Sequence, residues 1–123
     1  MADANGRSVV VEYVDGEMLV TEAQVVTNHY LSDCEKQGVG SEQSHKRYDT
    51  LAAATSPAGA DEVRDLLESV AQKNFPQTVD GNEKTMWSIV YCPEEHCADF
   101  YFAEDFTHSY ELILLKNGAF LNR

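Results

Sequence analysis

Near the start of the chain, Ser8-Val9-Val10-Val11-Glu12-Tyr13-Val14 is a β-branched and aromatic run that stops at Asp15-Gly16 and resumes as Glu17-Met18-Leu19-Val20. Asp-Gly between two such runs is a strong hairpin signal, because the tightest turns need residues that accept positive φ. Both arms are predicted as strands. After a polar interruption at Thr21-Glu22, the stretch Ala23 to His29, through Gln24-Val25-Val26-Thr27-Asn28, predicts a third strand. A loop of turn formers follows, with Gly38 and Gly40.

The pattern then changes period. Between Ser41 and Ala54, Tyr48, Leu51 and Ala52 recur at helical spacing and Ser41 is placed to cap the N-terminus. Ser56-Pro57-Ala58-Gly59 interrupts, and a second helix is predicted from about Ala60 to Lys73. Asp61 and Glu62 sit at its positive end, and Val63, Leu66, Leu67 and Val70 form one apolar stripe. Strand chemistry returns in Thr85 to Tyr91, Ala98 to Phe102 and Ser109 to Leu115, with the turn Cys92-Pro93-Glu94-Glu95-His96-Cys97 joining the first two as a hairpin. The predicted order is βββ-αα-βββ, and segregated helices and strands imply an α+β fold. Asn5-Gly6 is a further hairpin turn, but so few residues precede it that no upstream strand is expected, which implies either a frayed start or a chain cut from a longer one.

Composition narrows the function. With 123 residues the chain amounts to a single domain spanning 1–123, and 43% hydrophobic with 24% charged residues is ordinary for a globular protein. Met1 to Arg7 lacks the basic and apolar regions of a secretory signal, so the cytoplasm is expected. A net charge of -12 repels phosphate backbones and argues against nucleic-acid partners. No apolar run is long enough for a membrane span. Three cysteines cannot all pair within one chain, so reduced thiols are expected; Cys92 and Cys97 flank a hairpin turn and could face each other across the strands and oxidise, which in a reducing cytoplasm would be an artefact. Cys92, His96 and Cys97 lack the spacing and the fourth ligand of a structural zinc site.

Three blocks in order, Asp3-Ala4-Asn5-Gly6-Arg7 into Ser8-Val9-Val10-Val11-Glu12-Tyr13, then Val26-Thr27-Asn28-His29, then Gly40-Ser41 with Arg47-Tyr48, carry a family likeness. Together they resemble the choloylglycine hydrolase and penicillin-acylase-like N-terminal-nucleophile hydrolases, a group that includes acyl-coenzyme A:6-aminopenicillanic acid acyltransferases. The Asn28-His29 pair leans toward the acyltransferase branch, and the likeness continues weakly through Thr85 to Tyr91. It covers the carboxy-terminal portion of such an enzyme. The resemblance implies an αββα sandwich, a small-molecule amide substrate, no metal or organic cofactor, and a cysteine nucleophile at a free amino terminus. By the same resemblance Asn28 is the oxyanion-hole amide, and Arg47 the arginine near the nucleophile. Met1-Ala2 departs from the cysteine start, so the chain is expected to lack the nucleophile and to be inactive alone.

Each residue also has a plainer explanation. Asn28 suits a polar strand end that caps a turn, and Arg47, beside Lys46, suits a solvated helix face. His29 has no partner identifiable by spacing. A Cys34-His29 nucleophile pair lacks an orienting carboxylate. The rival function is a non-catalytic α+β binding or assembly domain. If the strand beginning near Arg7 has lost its neighbour, the exposed edge favours a homo-oligomer.

Overall fold

A computed structural model of the chain describes residues 1, 2, 5, 7–54, 57, 59–73, 84–115 and 118–122. The fold is α+β and divides into two compact units, Met1–Thr55 and Ser56–Arg123. Their elements run ββα in the first and αββββ in the second.

In the first unit, β1 (Val9–Val14) pairs antiparallel with β2 (Glu17–Glu22) in the register Val11 to Val20 and Tyr13 to Met18. The turn works as the sequence implies: Asp15 has φ 52° and Gly16 φ 89°, the left-handed values that Asp-Gly tolerates. Alternation along the strands separates two faces. Val10 and Val14 are buried with Glu12 beside them, while Tyr13, Met18 and Val20 on the other face are exposed. α1 (Glu42–Ala53) begins at the Ser41 cap, whose hydroxyl accepts from the Ser44 N–H.

One expectation is corrected here. Ala23 to His29 alternates between covered and exposed residues up to the buried His29, but it bends at Gln24 and Asn28 and is not a strand. Regular pairing ends where the Ala23 N–H reaches Ser8 O at 3.3 Å, and a single bridge joins His29 to Gly40. The β-branched run thus has the strand's alternation without a ladder partner among the described residues. Upstream of β1 the described residues form no strand, as expected, but Ala2 makes an isolated bridge to Ser8, and Met1 and Val9 exchange hydrogen bonds of 2.7 and 2.8 Å. These contacts occupy the Ser8–Val9 end of the β1 edge. Gly6 of the Asn5-Gly6 turn, like Asp3, Ala4, Ser56 and Ala58, lies outside the described residues.

In the second unit, α2 (Ala60–Val70) is followed by β3 (Trp87–Cys92), β4 (Cys97–Phe102), β5 (Tyr110–Leu115) and β6 (Gly118–Asn122), an antiparallel meander in sequence order. β6 has no counterpart in the predicted elements, so the observed order is ββ-αα-ββββ. Val63, Leu67 and Ala71 pack with Cys92 against Val90, Tyr101 and Phe106, where the Tyr101 and Phe106 rings stack at 5.4 Å. The apolar stripe of α2 is therefore half-buried rather than fully enclosed. The opposite sheet face carries Trp87, Tyr91 and Phe102, each about 60% exposed. Among the described residues no helix is long and apolar enough to cross a membrane.

Candidate active site

The residues singled out by sequence, Asn28 and Arg47, are brought together in the first unit. Arg47 Nη2 donates to Asn28 Oδ1 at 2.6 Å. A guanidinium has only donors, so the asparagine atom facing it must be its oxygen. The Asn28 –NH2 is consequently turned away from Arg47 and left to donate elsewhere. Asn28 is exposed, Arg47 is half-buried, and Arg47 Nε is buried with no hydrogen-bond partner.

Helical geometry explains why Arg47 points at the loop. Ser44, Arg47, Tyr48 and Leu51 stand three, four and seven positions apart, the spacing of one helix face. Ser44 on that face is fully buried and bonds to Thr27 Oγ1 at 3.0 Å and His29 Nδ1 at 3.1 Å. Thr27 Oγ1 also donates to Ser44 O at 2.9 Å, one turn before Arg47. His29 is buried, stacks on His45 at 4.2 Å and meets the Tyr48 ring edge-on at 5.1 Å. Thr27 and His29 therefore fasten the loop to α1 on both sides of Asn28. His29 acts as packing and anchor, and its Nδ1 is engaged by Thr27 and Ser44 rather than by Cys34.

Two further residues fix this loop, and sequence reasoning gave neither a role in doing so. Glu12, on the covered face of β1, accepts from the Leu31 N–H at 3.1 Å, from the Ser32 N–H at 2.7 Å and from the Ser32 hydroxyl. Burial pushes the Glu12 carboxyl up, but the bonds from Ser32 and Leu31 outweigh it and hold the pKa below 4.5. Gly40 is the second. A Cβ there would lie 2.8 Å from Asn28 O and 2.9 Å from His29 Cα, so only glycine admits this approach. Gly40 was legible as a landmark beside Ser41. Glu12 carried no signal, since an acidic residue in a strand ordinarily faces solvent.

Other polar clusters are local. Asp105 is pushed down to about 2 by the Thr107 hydroxyl, the Thr107 N–H and His108, all within one exposed turn. Among the described residues no group of three or more His, Cys, Asp or Glu could hold a metal ion.

The described geometry is thus an exposed asparagine whose amide oxygen is held by a cation on a helix face, on a loop strapped to a hairpin. No curated protein and no solved structure matches the chain. A scan of family profiles matches residues 1–106 to the family described as Acyl-coenzyme A:6-aminopenicillanic acid acyl-transferase, a stretch that takes in both helices and β1 to β4. Because the match runs through the asparagine loop and the Arg47 helix and over most of the chain, this protein belongs to the acyl-coenzyme A:6-aminopenicillanic acid acyl-transferase family.

Proposed function

We propose that this chain supplies the carbonyl-polarising half of a cysteine-dependent acyltransferase or amide hydrolase acting on linear carbon-nitrogen amide bonds of the penicillin or N-acyl amide type. The observation that carries this is the Arg47 to Asn28 bond, which leaves the exposed Asn28 –NH2 turned away from the guanidinium. When a thiolate adds to an amide carbonyl, negative charge develops on the oxygen, and a preorganised N–H donor stabilises it there. Collapse of that adduct expels the amine, which takes up a proton, and leaves a thioester. Water or an acceptor amine then attacks the thioester and restores the thiol. Arg47 acts as a positioning residue for the amide and as a nearby positive charge for the thiolate.

The attacking sulfur of this mechanism sits at a free amino terminus, a position that none of Cys34, Cys92 and Cys97 occupies. The chain by itself is accordingly inert. The αββα sandwich belongs to the same proposal: each sheet bears one covered face and one exposed apolar face, and a stacked second sheet is what such a face requires. The same exposed faces favour the rival reading of a non-catalytic binding or assembly domain. Self-association through the rest of the β1 edge is measured by sedimentation at high concentration, where a strict monomer counts against it.

Amine release from penicillins and N-acyl amides tests the function in two steps. The purified chain releases none, and robust release would overturn the assignment. In a protein that carries this stretch behind a free N-terminal cysteine, Asn28→Ala lowers kcat by about 100- to 1,000-fold with little change in KM. An unchanged kcat removes Asn28 from the oxyanion role and returns the chain to the binding-domain reading.

A further inference from the structure

The tip of the β3–β4 hairpin holds two cysteines for which acyl transfer has no use. Cys92 ends β3, Cys97 opens β4, and the two are direct partners in the register. Directly opposed residues of an antiparallel pair have Cα atoms about 4.5 to 5.5 Å apart, with both side chains on one face. That lies inside the roughly 4.4 to 6.8 Å separation that a disulfide spans, so the register puts the two residues within reach of one. In keeping with that register, the Cys97 thiol is pushed up first by burial and then by the neighbouring Cys92.

The turn between them is already set. The Glu95 N–H donates to Cys92 O at 3.1 Å and the His96 N–H to Pro93 O at 3.3 Å. Both cysteines are free and half-buried, and Cys34 belongs to the other unit.

We propose that Cys92 and Cys97 form a reversible dithiol–disulfide couple, a covalent modification site for small disulfides of the glutathione class. Cys97 Sγ is directed at Glu95 Oε2, 3.9 Å away, which favours its protonated form, so Cys92 is the attacking sulfur. The Cys92 thiolate attacks one sulfur of oxidised glutathione, the glutathione S–S bond breaks, and one glutathione thiolate leaves. Cys97 then gives its proton to solvent and attacks Cys92 Sγ, displacing the second glutathione as thiolate. The protein loses two electrons and two protons, and one oxidised glutathione becomes two thiols. Glu94 and Glu95 at the tip repel the anionic glutathionyl group and favour its displacement by Cys97.

The test equilibrates the full chain in excess reduced or excess oxidised glutathione, quenches with acid, alkylates, and maps the cysteines by peptide mass spectrometry. In oxidised glutathione the peptide holding Cys92 and Cys97 loses the mass of two hydrogen atoms, and both residues lose alkylation together. Dithiothreitol restores them. C34S behaves identically, and C97S retains one glutathione on Cys92. The proposal is overturned if Cys92 and Cys97 stay alkylatable while Cys34 is modified, if each keeps its own glutathione, or if either bonds to Cys34.

Discussion

All the buried polar residues described, His29, Ser32 and Ser44, lie in the Met1–Thr55 unit, whereas those buried in the Ser56–Arg123 unit, Val90, Ala98, Tyr101 and Phe106, are apolar or aromatic. The first unit encloses few apolar side chains, with Val10 and Val14 its buried hydrophobics, and it fixes its loop with directed bonds from Glu12, Thr27, Ser44 and Arg47. The second relies on α2 lying over β3 and β4. Hydrogen bonds fix atoms to fractions of an ångström and depend on protonation, while apolar contact is non-directional and indifferent to pH. The proposed role of Asn28, which needs one amide held in place, suits a unit built the first way.

Substitutions can break that contrast. The largest effect is expected at Gly40→Ala, where the new methyl meets backbone atoms of Asn28 and His29 that cannot swing aside. A loss of about 3 kcal/mol is expected, seen as faster amide exchange in the loop of residues 27–40 while fluorescence of Trp87 in the second unit stays unchanged. Equal disturbance of both units would remove the distinction.

Next comes Glu12→Gln, which keeps the shape and discards the charge that the Ser32 and Leu31 donors hold. About 2 kcal/mol is expected to be lost at neutral pH, read from the urea midpoint. The sign with pH follows from the lowered carboxyl. Its contribution is fully present above the unfolded value near 4.5 and is lost as pH falls through the lower folded value. Wild type and variant should therefore converge in acid, and a gap that persists there would show that Glu12 acts through packing.

The smallest effect is expected at Leu67→Ala, which trims the half-buried contact of α2 with the second unit's core. A cost of about 1.5 kcal/mol, below that of a fully enclosed leucine, should appear in the Trp87 fluorescence transition and be the same at pH 7 and pH 4. A pH-dependent loss would give the second unit an electrostatic component absent from this account.

Much of this was readable in the residues, for identifiable reasons. Asp15-Gly16 announces its turn because positive φ is costly for most side chains, and Ser41 announces α1 because its hydroxyl can accept from Ser44. The stretch from Ala23 to His29 misled because alternation reports an extended chain with one side covered, and it is silent on whether a neighbouring strand exists. β6 is a short run after Leu115 whose strand character comes from pairing with β5. At the site, Asn28 and Arg47 were visible through their family setting, while the Glu12 strap and the space that forces Gly40 arise from contacts between residues far apart in sequence.

The grip of Arg47 on one oxygen also makes the polarity of this spot depend on a single atom. With aspartate at position 28 the guanidinium would hold the side chain at least as tightly, now as an ion pair, and the backbone would have no cause to shift. The outward atom, however, would accept hydrogen bonds instead of offering them, so in the oxyanion role proposed for Asn28 it would repel the charge it is meant to hold. The fold here specifies where that group stands, and one nitrogen decides which sign of charge it welcomes.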